Sequence, residues 1–208
     1  MLNFWFRSSQ WVRARMRRLP KLYAPLRRAG LLLLTLSLCM ASCTSEVDDY
    51  YSRYPARFAF NAVLTMAPLN RALNNEGMFC SISRGRNKNY VFRGNDGLCD
   101  SVYQTAIDAN AVPVCINGFI VGLPNELNMK GMLERVAYDL VCPNCYGEFS
   151  INRALSFRNR TEAVCSRCKC VYSLNTGNLL SGESSVRRLE RYQIVYSDNS
   201  NVVIVQNN

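Results

Sequence analysis

Two cysteine pairs constrain this chain more than any other feature. Cys142-Pro143-Asn144-Cys145 is followed, after nineteen residues, by Cys165-Ser166-Arg167-Cys168. Two residues between thiols let a tight turn aim both sulfurs at one ion, and two such knuckles supply a tetrahedron of thiolates. The pattern therefore predicts a metal on Cys142, Cys145, Cys165 and Cys168. Four thiolates with no open position describe a closed, structural site, and Zn²⁺ fits it. Iron, or a 2Fe-2S cluster, suits the same thiolates. Two disulfides are the competing use of four cysteines in an oxidising compartment, and a redox dithiol the third. Arg167 stands where it would offset thiolate charge.

The chain has ten cysteines and no histidine in 208 residues. Without imidazole there is no Ser-His-Asp or Cys-His catalytic unit and no histidine ligand. Scattered Asp and Glu residues form no catalytic motif and read as solvated surface, so no catalytic residue is assigned and a non-enzymatic role is expected. Cys170 is a spare thiol able to compete for the ion. Cys80, Cys99 and Cys115 read as buried apolar residues or disulfide partners.

The net charge of +10 invites a nucleic-acid reading, but its location argues against one. Residues 1–42 hold eight Lys/Arg and no acid; taking these from 25 leaves 17 bases against 15 acids, a net +2. The remainder lacks the broad positive charge of a nucleic-acid module.

Residues 1–42 have the order of an export signal. A basic region runs to Arg28, an apolar run follows from Leu31 to about Met40, and Ala41-Ser42 precede Cys43. The run of about ten residues is too short to span a bilayer as a helix, which takes about 20. Met40-Ala41-Ser42-Cys43 resembles a bacterial lipobox, which implies lipidation of Cys43 and a membrane anchor. An ordinary secretory signal is the alternative, and Met16 is an alternative start. Residues 43–55 then read as the lipidated cysteine and a tether, its aromatic end Tyr50-Tyr51-Ser52-Arg53-Tyr54-Pro55 settling on the domain edge. Such a chain is exported and lipid-anchored in the cell envelope, facing the periplasm or the surface.

From residue 56 to 208 the pattern predicts one mostly β domain. Met78–Ser83 and Tyr90–Phe92 flank a turn at Arg84–Asn87, and Asn95-Asp96-Gly97 is a strong turn. Val112–Val121 is apolar and β-branched, with Asn117-Gly118 as a tight turn inside it. Tyr192–Tyr196 and Val202–Val205 flank Asp198-Asn199-Ser200 as a hairpin. The one short helix expected is Ser101–Ala109.

The C-terminal part resembles the Rieske iron–sulfur family. Cys165-Ser166-Arg167-Cys168, followed by Tyr172, Leu174 and Thr176-Gly177, is similar to that family's second cluster loop. Ser181-Gly182 and Leu189–Ile194 resemble the segment that closes the domain, and Asp139–Pro143 the strand entering the first loop. The resemblance implies an antiparallel β-sandwich with a zinc-ribbon-like metal-binding subdomain over residues 137–178, with Tyr172, Leu174 and Thr176-Gly177 packed around the site. It departs where chemistry is decided. Asn144 falls at the place of the first histidine, with Cys145 taking over one position later, and Cys168 replaces the second. The fold and ligand positions carry over; the redox role of a two-histidine cluster does not. The chain as a whole is similar to Gram-negative envelope lipoproteins with Rieske-like domains, which leaves an envelope protein or ligand as its partner.

Overall fold

Alternating burial along the strands organises this chain into antiparallel sheets. In the computed structural model the described residues are 50–104, 113–128, 130–183, 188–197, 199 and 201–207. They belong to one compact unit, Val47–Asn208. The signal expected over 1–42, the lipidation expected at Cys43 and the tether expected up to residue 49 lie outside the described residues.

The strands are β1 Arg57–Phe60, β2 Met78–Arg84, β3 Asn89–Gly94, β4 Cys99–Tyr103, β5 Phe119–Leu123 and β6 Val136–Asp139. They continue with β7 Leu155–Phe157, β8 Glu162–Cys165, β9 Val171–Ser173, β10 Leu179–Ser181, β11 Arg191–Ser197 and β12 Val202–Gln206. Among the described residues two short α-helices interrupt them, α1 Ala67–Asn74 and α2 Pro143–Phe149, with a 3-10 turn at Val63–Thr65. An eight-stranded sheet runs β1-β12-β11-β6-β5-β2-β3-β4, and a four-stranded sheet runs β10-β9-β8-β7. Neighbours in both sheets pair antiparallel. The domain is mostly β, as the sequence predicts.

Successive side chains of a strand point to opposite faces, and the central strands use both. Cys80, Ile82, Phe119, Val121, Ala137 and Tyr192 turn to one core, closed by Leu69, Ala72 and Leu73 of α1 and by Phe58, Phe60, Tyr90 and Phe92. Phe79, Ile120, Val136 and Tyr138 turn to the other, which contains Cys142, Cys145, Leu155, Ala163, Cys165, Tyr172 and Leu174. The small sheet thus covers the second face of the large one. Burial on both faces explains why β5 and the first three residues of β6 read as apolar runs without alternation. Each large side chain enclosed this way contributes about 1.5–3 kcal/mol of burial energy.

The turns follow their residues. The β2–β3 hairpin pairs Arg84 with Tyr90, and the C-terminal hairpin pairs Ile194 with Val205, both as expected. Asn95-Asp96-Gly97 returns the chain onto β3, with Gly97 at φ 87° and the Leu98 N–H bonded to Asp96 at 3.0 Å. That turn overturns the helix expected from Ser101. Ser101 and Tyr103 instead pair with Val91 and Asn89 in β4, because a nine-residue helix is marginal alone while the hairpin offers a ready ladder. Residues 105–109 of that expected helix lie outside the described residues. Asn117-Gly118 is no hairpin turn within a strand: Val114 makes an isolated bridge to Arg57, and β5 begins only at Phe119. The segment Tyr50–Pro55, expected to end a tether, makes contacts with the domain. The Ser52 N–H donates to the Arg191 carbonyl at 2.7 Å, and Tyr54 lies edge-on to Tyr146 at 5.4 Å.

Candidate metal centre

The first knuckle leaves the large sheet at Asp139. The Cys142 N–H donates to the Arg153 carbonyl at 2.7 Å, and a bridge joins Val141 to Ala154. Cys142 then caps α2, and Pro143 takes the first helical position, where no N–H is needed. Cys145 lies in the first turn, and the helix stops at Ser150 in the left-handed conformation, φ 52°. The C-x-x-C expected as a tight turn is therefore the start of a short helix.

The second knuckle belongs to the small sheet. Cys165 ends β8, its N–H donating to the Cys170 carbonyl at 3.0 Å. The Lys169 N–H returns to the Cys165 carbonyl at 3.0 Å, with Lys169 at φ 62° folding the loop back towards β9. Arg153 Nε donates to Ser166 Oγ at 3.0 Å and braces this loop against the first.

The four sulfurs converge. Every pair among Cys142, Cys145, Cys165 and Cys168 lies within 4.8 Å. Cys142 and Cys168 are 3.6 Å apart, and Cys145 and Cys165 3.7 Å. A tetrahedron with zinc–sulfur distances of about 2.3 Å has edges of about 3.8 Å, so the thiols present fit such a centre. Cys142, Cys145 and Cys165 are buried and Cys168 is half-buried.

Electrostatics divides the thiols. Burial pushes Cys142 well above the ordinary cysteine value, and pushes Cys145 up to about 11, with the Cys165 and Cys168 thiols adding to both shifts and Cys142 opposing that of Cys145. Burial also acts on Cys168, but bonds from the Cys170 backbone N–H, Asn144 and neighbouring thiols outweigh it and bring Cys168 down to about 6. Deprotonating all four without a cation would leave several uncompensated charges in an apolar core, a costly arrangement that a divalent ion relieves.

Other expected participants take different places. Cys170 stays outside the convergent set: it is buried, 3.8 Å from Asn144 Nδ2 and 3.6 Å from the Glu183 carbonyl. Asn144 is buried beside the ligands, and Arg167 reaches the Phe149 ring at 5.8 Å. Tyr172 and Leu174 are fully buried in the core that holds the cysteines, and Gly177, at φ 77°, packs on the Tyr138 ring. Cys80 lies in the other core, Cys115 is half-buried and Cys99 exposed; none of the eight described cysteines forms a disulfide.

One supporting group is illegible in the sequence. Asp139 is fully buried, contrary to the expectation that the carboxylates are solvated. It accepts from the N–H groups of Ile116 at 2.9 Å, Asn117 at 3.2 Å and Val141 at 2.8 Å, and from the Tyr192 hydroxyl at 3.1 Å. Burial raises its carboxyl above the usual range, opposed by these four donors. Asp139 thereby fixes the segment entering Cys142 against the loop before β5 and against β11. Three of its four partners lie 22, 23 and 53 positions away and only Val141 is local, so the sequence does not announce the cluster.

Among the described residues, no helix is long and apolar enough to cross a membrane. No protein-family model matches the chain, and no curated protein matches it.

Proposed function

We propose that this chain is a lipid-anchored envelope protein whose Rieske-like domain uses Zn²⁺ on Cys142, Cys145, Cys165 and Cys168 as a structural brace. The observation that carries the metal reading is the convergence of four sulfurs within 4.8 Å, with short pairs of 3.6 and 3.7 Å. It supports one ion rather than a 2Fe-2S cluster, since two irons would draw the thiolates into two separated pairs. Export and the Cys43 anchor rest on the order of the leader and on Met40-Ala41-Ser42-Cys43. The likeness to the Rieske family rests on Tyr172, Leu174, Thr176-Gly177 and the positions of the ligands.

The role that follows is mechanical and non-catalytic. Cys142 and Cys145 follow the large sheet, while Cys165 ends β8 of the small sheet and Cys168 lies in the loop after it, so a shared ion ties the two together. The partner is an envelope protein or ligand, and the near-neutral charge beyond residue 42 argues against nucleic acid. Metal analysis, native mass and a visible spectrum of the purified protein test this. One zinc and no colour are expected. A red-brown protein containing iron overturns the zinc assignment in favour of electron transfer, and four oxidised thiols without metal overturn both.

A further inference from the structure

The connection between β5 and β6 turns apolar side chains outward. Leu127 is 65% exposed, Met132 56% and Leu133 36%, and Lys130 lies between them. The loop nevertheless has a defined form. The Asn128 N–H donates to the Met132 carbonyl and the Gly131 N–H to the Asn128 carbonyl, both at 2.9 Å. Asn128 Oδ1 accepts from the Lys130 and Met132 N–H groups at 2.9 and 3.0 Å. Asn175 Nδ2 grips the base of the loop through Asn125 at 2.7 Å and Glu126 at 2.8 Å.

Its position bears on what covers these side chains. Asn128 Nδ2 donates to Glu134 at 3.2 Å, Glu134 lies 3.8 Å from the Arg191 guanidinium, and that guanidinium sits 4.4 Å over the Tyr50 ring. Three contacts thus connect the loop to Tyr50, where the described chain begins. Six residues separate Tyr50 from Cys43, a reach of about 25 Å at full extension. A lipid on Cys43 would hold this end of the domain close to the bilayer.

We propose that Leu127, Met132 and Leu133 dock into the phospholipid surface beside the anchor, a second membrane contact that sets the domain's orientation. This rests on the lipoprotein reading of Cys43. Exposed apolar side chains gain by entering the interface, and Lys130 keeps its charge at the headgroups while its stem is buried. The anchor supplies the high local concentration that makes a three-residue contact effective.

The chain allows a clean test, because its two tryptophans, Trp5 and Trp11, both precede Cys43. Both are replaced by Phe and one Trp is introduced, as Met132→Trp or, for comparison, as Tyr103→Trp at a 72% exposed position on β4. The full chain is expressed in a Gram-negative host, its mass determined, and the purified protein reconstituted on vesicles of phosphatidylethanolamine and phosphatidylglycerol. Expected are an acylated Cys43, blue-shifted emission from position 132 with most of it lost to bromine-labelled acyl chains, and neither effect at position 103. Acylated protein with equal, water-like emission at both positions overturns the docking and leaves the anchor intact. Emission at 132 already blue-shifted without vesicles assigns the loop to a protein partner or a second copy, and also overturns it. A mass without acyl groups removes the anchor. The docking falls with it, because a three-residue contact is effective only beside the anchor.

Discussion

The Tyr192 hydroxyl donates to the buried carboxylate of Asp139 at 3.1 Å, joining the C-terminal hairpin to the strand that leads into Cys142. Tyr192→Phe removes one of four donors and should cost about 2 kcal/mol, as for hydrogen bonds to charged groups. Asp139→Ala strands three backbone N–H groups as well and should cost about 4 kcal/mol or more. Denaturant unfolding of the metal-loaded protein measures both.

The same carboxylate predicts a pH effect. Its folded pKa is raised by burial, above an unfolded value of about 3.9. Its contribution to stability is therefore fully present below that unfolded value and is lost as pH rises through the folded one. Tyr192→Phe removes a donor that opposes the shift, so the Asp139 carboxyl should titrate still higher. A ¹³C titration of the carboxyl reads this directly, and an unchanged midpoint would contradict it.

Cysteine substitutions should separate ligands from bystanders. Cys145→Ser should abolish stoichiometric metal binding and unfold the small sheet, since four-thiolate sites in small domains supply about 10–16 kcal/mol of apparent binding energy. Cys170→Ser should keep one metal per chain, because that thiol is engaged with Asn144 and the Glu183 carbonyl instead. Metal content and circular dichroism of the two variants make the comparison.

Metal uptake should release protons. Cys142 and Cys145 are held above the ordinary thiol value and must give theirs up, whereas Cys168, near 6, is already a thiolate at neutral pH. Affinity should therefore rise with pH through the neutral range, since only thiolates bind. Calorimetry of zinc binding in buffers of different ionisation enthalpy gives the proton count, and a count of zero at pH 7 would contradict the assignment.

Gly118 meets two constraints at once. Its φ is +126°, and an added Cβ would lie 2.4 Å from the Ile82 carbonyl oxygen. Gly118→Ala should destabilise the protein by about 3 kcal/mol or more, combining backbone strain with overpacking. Thermal unfolding tests this with the metal bound.

These relationships differ in how much of them the residues announce. The C-x-x-C spacings and the period-2 pattern of Tyr192–Tyr196 against Val202–Val205 are local, and local signals survive in a sequence. Helix α1 is barely two turns long, so Leu69, Ala72 and Leu73 give too brief a periodicity to stand out, and no side chain caps its start. Cys99–Tyr103 buries little on either face, so only its pairing with β3 makes it a strand. The helix that begins at Pro143 starts inside a C-x-x-C spacing that reads equally as a bare turn between thiols. Asp139 needed the tertiary fold to assemble its donors.

The half-exposure of Cys168, against full burial of the other three sulfurs, gives a thermodynamically closed centre a single kinetic entrance. With an ion bound, a chelator or an oxidant should reach Cys168 before any other ligand, so metal exchange should begin with its departure. The rate at which a bound ion leaves should then follow the fraying of one loop, while the affinity with which it is held should follow all four thiolates.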